Sequence, residues 1–377
     1  MRRLTLCVLA LSVLVPAGSP GAERKPKRAK NVILLLADAG GIPTINAASL
    51  YGYNAPQKLF IQSWEHIGLS DTSPTARWVS DSAAGMTALV TGSKTFNGVI
   101  SQAPDGVRGK KDGTTLKTVL EYAEEKGLST GVITNMPIAD ATPAACYAHS
   151  NDRGKWGEIF LQVFSPRFGD GVDMLIGAGR KRIWEQVQAL NKDPEAIAKE
   201  HGRPIYSSLA EIPADAKRAL MVTDGEFSLS DATKRTVASL AKNPKGYFLM
   251  IEWDAHTDKI EAGLSRLVTF DKVIKELAET VNLDDTLLLF TADHSFDLRV
   301  DAGGPDNPLL KPSDKPAEGP VNKREVRLAY VRMADTHTGE EVLVAAKGAG
   351  AERVRGFFPN TQVFHIMMDA YGWKESR

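Results

Sequence analysis

From residue 31 onward the chain is built of short unbroken apolar runs, separated by helix-like stretches and bounded by turn residues. The first run, Val-Ile-Leu-Leu-Leu-Ala after Asn31, ends in Asp38-Ala-Gly-Gly41. Such a run predicts a strand covered on both faces, as in a parallel sheet, with Asp38 the first polar residue past its carboxyl end. Thr130–Thr134, Met174–Ile176, Ala219–Val222, Tyr247–Ile251 and Thr286–Phe290 read as further strands. Thr115–Gly127 sets Leu116, Val119, Leu120 and Ala123 on one helical face and stops on a glycine. Ile260–Val281 predicts a long amphipathic helix with Leu264, Leu267, Val268, Val273, Ile274, Leu277 and Val281 on its apolar side. Strands alternating with helices predict an α/β fold: a single large domain with a central, mostly parallel sheet flanked by helices on both faces.

Two stretches break the rhythm. Asn191–Asp215 is polar with three prolines and reads as a peripheral excursion; Val300–Val326, with five prolines and many charges, reads as a long loop. No internal repeat or second domain is visible. At the start, Arg2 and Arg3 precede the apolar run Leu4–Val15, and small residues follow to Ala22. Residues 1–22 therefore read as a secretory signal, cleaved after Ala17 or Ala22, with an uncleaved N-terminal anchor as the alternative; the run is short for a membrane span. Residues 23–377 then read as the folded domain, expected in the periplasm or outside the cell. That portion keeps Cys146 alone, so it has no internal disulfide. Arg and Lys balance Asp and Glu at 46 each, which leaves no basic footprint for nucleic acid.

The candidate chemistry gathers at the ends of elements. Ser82 stands where the polar run Trp78–Asp81 gives way to an Ala-rich stretch with Met86, Leu89 and Val90 at helical spacing and Gly92 as a stop. A serine at a helix N-terminus can hold an anion or lose its proton to a neighbouring cation; it can equally be an ordinary cap. In an open α/β sheet, ligands bind beyond the carboxyl ends of strands. Asp38, then Glu252, Asp254 and His256, then Asp293 and His294 all fall there, and acids with histidines suit zinc or magnesium. Asp140-Ala-Thr142-Pro, Arg153 and His337 are further candidates. His66, His149, His201 and His365 read as structural or surface residues, His365 as packed within Val363–Met368.

Together these segments resemble the alkaline phosphatase family. Val79-Ser-Asp-Ser-Ala-Ala84 with Thr91-Gly-Ser-Lys-Thr-Phe-Asn-Gly98 is similar to its nucleophile segment. Asn31–Asp38 resembles its first strand and metal-bridging aspartate, and Asp140-Ala-Thr-Pro-Ala-Ala145 with Tyr147-Ala-His149 its magnesium and phosphate segment. Thr291-Ala-Asp-His294 and His337-Thr-Gly-Glu-Glu-Val342 resemble its zinc segments. The resemblance implies a phosphomonoester hydrolase with two zinc ions and one magnesium ion, working through a phosphoserine at Ser82. It assigns Asp38, Asp293 and His294 to one zinc and Asp254, His256 and His337 to the other. Magnesium falls to Asp38, Thr142 and Glu252, with Asp140 ordering its waters, and the substrate phosphate to Arg153. It also implies small phosphomonoester substrates and a homodimer.

Three departures stand out. Ala37-Asp38-Ala39 replaces the family's Gly-Asp-Gly. Trp253 alone separates Glu252 from Asp254 where the family has four residues, which leaves Asp258 as a competitor for the second zinc site. Val300–Val326 stands where larger members carry a crown-like insertion. Against the phosphatase reading stand a phosphodiesterase of the same superfamily and, from another class, a secreted protein that binds phosphate or metal without turnover. A sulfatase is disfavoured because Ala84, not proline, lies two residues after Ser82.

Overall fold

A computed structural model describes residues 28–313 and 324–375; the signal segment and part of Val300–Val326 lie outside them. Ten strands form one sheet: β1 (Asn31–Asp38), β2 (His66–Asp71), β3 (Ser129–Pro137), β4 (Met174–Ala178), β5 (Ile205–Tyr206), β6 (Ala219–Thr223), β7 (Tyr247–Asp254), β8 (Thr286–Thr291), β9 (Val342–Gly348) and β10 (Gly356–Pro359). Their order is β10-β2-β9-β8-β1-β7-β3-β4-β6-β5. Only β9 runs antiparallel to its neighbours, and every other pairing is parallel.

The alternation of β1 divides the core. Val32, Leu34 and Leu36 face helices Ser82–Thr91, Val119–Glu125, Ala141–Tyr147 and Thr361–Tyr371 on one side of the sheet. Ile33, Leu35 and Ala37 face helices Ile42–Tyr53, Leu229–Leu240 and Ile260–Thr280 on the other. A strand with helices on both faces has no polar side, which is why its sequence is apolar throughout. The α/β architecture expected from the alternation of elements is therefore the one observed.

Boundaries differ where local chemistry overrides apolar pattern. The helix expected over Thr115–Gly127 spans Val119–Glu125 only, because Thr118 caps it and Glu121 returns a bond to the Thr118 amide. The strand expected to end at Ile251 runs on to Asp254, carrying Glu252 and Asp254 in the sheet itself. The polar excursion Asn191–Asp215 holds the helix Pro194–Glu200, started by Asp193 and a proline, and the edge strand β5. The described ends of the loop Val300–Val326 pair as short strands against Val331–Ala334.

Candidate active site

The register of β1 against β7 sets Asp38 beside Asp254, with Glu252 two residues back on the same strand. β8 then delivers Thr291-Ala292-Asp293-His294 to the same edge. Ser82 is the first residue of its helix, and the cap is Asp81, whose Oδ1 accepts from the Ala84 amide at 3.0 Å. Ser82 is therefore free for other work. Its Oγ lies 3.2 Å from His294 Nε2. The same nitrogen stands 3.3 Å from Asp38 Oδ1 and 3.6 Å from Asp293 Oδ2. Serine, imidazole and two carboxylates thus meet within a buried space.

Two sets of side chains, among the described residues, bring their ligand atoms within 4.8 Å of one another: Asp38, Asp293 and His294, and His256, His294 and His337. The three histidines share one arrangement. Nδ1 of His294 faces the Ser295 carbonyl at 3.2 Å, Nδ1 of His337 the Ser80 carbonyl at 2.9 Å, and Nδ1 of His256 Asp254 Oδ1 at 2.8 Å. An imidazole that donates from one nitrogen presents the other as a lone pair, as metal-binding histidines do. Asp38 Oδ1, Thr142 Oγ1, Glu252 Oε1 and Asp293 Oδ2 are buried with no hydrogen-bond partner. Four orphaned oxygens beside imidazole nitrogens are costly as they stand and well suited to cations. The donor set therefore fits divalent metal ions.

Electrostatics carry the same message. Burial works against the charge on Asp38, but His256, His294 and Arg153 hold its carboxyl far below the usual range. Burial and then the charge of Asp38 push Asp293 up to about 7 and raise Glu252 well above an ordinary glutamate. Burial and the neighbouring His294 push His337 down to about 4, the neutral form that can ligate. Acids crowded this closely share protons unless a cation balances them.

Glu252 is fully buried, bonded by Thr134 Oγ1 at 2.5 Å and near Asp38 and Asp140. Asp140 caps the helix that carries Thr142 and accepts from Arg153 Nη2 at 3.0 Å; Arg153 Nη1 reaches Asp81 Oδ2 at 3.3 Å. Two carboxylates from the starts of two different helices thereby aim the guanidinium.

Asp254 joins neither metal-like set. Its carboxylate lies between His256 and Arg266, 2.8 Å from each. Asp258 is exposed, and Lys259 rather than Asp258 holds the cap position of the next helix, without a side-chain cap. His149 is structural, bonded to Glu121 and the Ser101 carbonyl. His365 is not packed: its half-exposed ring meets Glu375 at 2.9 Å. Sequence reasoning missed Asp81, although an Asp directly before a helix-starting serine is itself a cap signal. It also missed Arg266, which carries no local signal on an otherwise ordinary helix.

The family model described as alkaline phosphatase matches residues 29–217 and 210–315. The chain belongs to the alkaline phosphatase family. It is 28% identical to alkaline phosphatase 4 of Bacillus subtilis (strain 168), covering 97% of this chain and 96% of that one. It is also 28% identical to the streptomycin-6-phosphate phosphatase of Streptomyces griseus, over 98% and 97% of the two chains. The solved alkaline phosphatase from the Antarctic bacterium TAB5 superposes with a TM-score of 0.75 at 26% identity, covering 93% of this chain and all of that one. The protein is thus an alkaline phosphatase enzyme, a phosphomonoester hydrolase with metal cofactors. No helix among the described residues is long and apolar enough to cross a membrane.

Proposed function

We propose that this alkaline phosphatase hydrolyses small phosphomonoesters through a phosphoserine at Ser82, with two zinc ions and one magnesium ion bound. The observation that carries the reading is Ser82 Oγ, uncommitted to capping and 3.2 Å from His294 Nε2, where Asp38 and Asp293 converge. Asp38, Asp293 and His294 hold one zinc, and His256 and His337 the other, with Asp254 against His256. Asp38, Glu252 and Thr142 hold magnesium, and Asp140 orders its water; a variant of the TAB5 enzyme was solved with magnesium in a site called M3. When bound, the cations lower the pKa of the serine hydroxyl and neutralise the phosphoryl charge.

The Ser82 hydroxyl gives its proton to solvent, its Oγ attacks phosphorus in line as the ester P–O bond breaks, and the alcohol leaves with a proton taken back from solvent. Water then attacks the phosphoserine; the Oγ–P bond breaks, Ser82 regains its hydrogen, and orthophosphate departs. The Ser82 helix points its free amide groups at the transferred group, and Arg153, already aimed by Asp81 and Asp140, makes paired bonds to its oxygens. We infer export to the periplasm or beyond, directed by residues 1–22.

The test is Ser82→Ala. Turnover of an aryl phosphate falls by several orders of magnitude, while circular dichroism and zinc content stay at wild-type values. Near-normal turnover in the folded variant overturns the assignment. The same assay with an aryl phosphodiester separates monoester from diester preference.

A further inference from the structure

Only five residues, 255–259, connect the end of β7 at Asp254 to the helix starting at Ile260. The helix lies directly on this turn: a Cβ at Gly263 would stand 2.2 Å from the His256 carbonyl oxygen, so glycine alone permits the approach. One turn further along, Arg266 reaches back over the same segment. Its Nε donates to the Asp254 carbonyl at 2.7 Å and its Nη2 to the His256 carbonyl at 3.3 Å, while Nη2 also forms an ion pair with Asp254 Oδ2 at 2.8 Å. The other carboxylate oxygen, Oδ1, accepts from the His256 amide at 3.0 Å and from its Nδ1 at 2.8 Å. The Asp254 amide is fixed in turn by Asn135 Oδ1 at 2.8 Å.

Both oxygens of Asp254 are thus engaged, one by a guanidinium and one by the histidine itself. We propose that Arg266 and Asp254 are positioning residues that present His256 Nε2 to the second zinc, with Asp254 standing outside that ion's ligands. The part Asp254 plays for His256 is the one the Ser80 and Ser295 carbonyls play for His337 and His294. The difference is charge: a carboxylate acceptor makes the imidazole a stronger donor, and Arg266 keeps that carboxylate from turning toward the metal. The site then draws one imidazole, and no carboxylate, from this segment. The inference rests on the metal-dependent reading above.

The test is zinc binding to metal-stripped protein, titrated in competition with a chromophoric chelator and without substrate. Asp254→Asn and Arg266→Ala are expected to bind two zinc ions per chain, the second about tenfold to a hundredfold more weakly than wild type. Arg266→Lys restores part of the loss, since an ammonium replaces one contact of the fork. His256→Ala, the reference for a lost ligand, binds one. Asp254→Asn that binds one zinc, as His256→Ala does, overturns the proposal, because Asp254 is then a ligand. So does an unchanged second dissociation constant in folded Arg266→Ala. Should Arg266→Ala fail to fold, Asp254→Asn and Arg266→Lys decide the matter. Wild-type protein that takes up no zinc overturns the underlying reading instead.

Discussion

Gly85 and Asp293 stand in backbone-to-backbone contact: a Cβ at Gly85 would lie 2.4 Å from the Asp293 carbonyl oxygen. Gly85 is three residues after Ser82 on the same buried helix, so this contact sets how far the serine stands from Asp293 and His294. Gly85→Ala is expected to push the helix off the β8 end. The overpacking costs about 1–3 kcal/mol of stability, and turnover falls more than tenfold because the Ser82 hydroxyl moves out of line. Thermal unfolding with kcat measured on the folded fraction checks it; unchanged kcat with unchanged stability refutes the contact.

Arg153→Ala should raise KM and weaken inhibition by inorganic phosphate, leaving zinc content intact. A paired, charge-assisted contact is worth about 2 kcal/mol, or roughly thirtyfold in binding. Asp81→Ala is expected to reproduce part of this at a distance, since it frees Nη1 of Arg153 and removes the helix cap, for about 1 kcal/mol of stability. Phosphate inhibition constants for the two variants check both. An unchanged constant in Arg153→Ala removes Arg153 from the site.

His256→Ala is expected to lose one zinc and most activity, because a zinc site with so few protein ligands cannot spare one of its imidazoles. Asp258→Ala keeps both ions. An aspartate just before a helix can cap it, and its loss then lowers stability. Lys259 takes the cap position and Asp258 is exposed, so its removal should change stability by no more than about 0.5 kcal/mol. Metal counts and unfolding midpoints on the two variants check the pair.

The parts of this site that the sequence disclosed are those tied to strand ends. Val32–Ala37 had to be a central strand, so Asp38 had to emerge at its carboxyl end. The same logic carried Asp293 and His294 after β8, and Ser82 at the head of a glycine-stopped helix. What stayed hidden is what depends on side chains meeting across the fold. Nothing local tells Arg266 from other arginines on amphipathic helices, and its role follows from the turn at 255–259 lying beneath it. The pairing of Asp81 with Arg153, 72 residues away, is equally invisible before the helices are in place. Asp254 shows the limit most clearly: its place at a strand end beside His256 put it among the metal candidates, but position does not say which partner takes its oxygens.

Far from this edge, Glu124 links protonation to stability. It is buried beside Thr130, whose Oγ1 donates to its carboxylate, with Asp173 and Asp170 nearby. Burial, then the repulsion of those two aspartates, push it up to about 7 from 4.5. A carboxyl whose folded pKa exceeds its unfolded one favours the native state when protonated. Its contribution is therefore complete below about pH 4.5 and is lost as pH rises through about 7. The shift corresponds to about 3 kcal/mol at most, reduced by whatever relaxation Arg218 and Arg203 provide. Glu124→Gln keeps an acceptor for Thr130 and removes the ionisation. It is expected to match wild type near pH 4 and to be the more stable protein at pH 8, by about 1–3 kcal/mol, with activity unaffected because the residue is remote from Ser82. Chemical denaturation at the two pH values measures the difference directly. Equal stability gaps at both would show that Glu124 keeps an ordinary pKa in the folded chain.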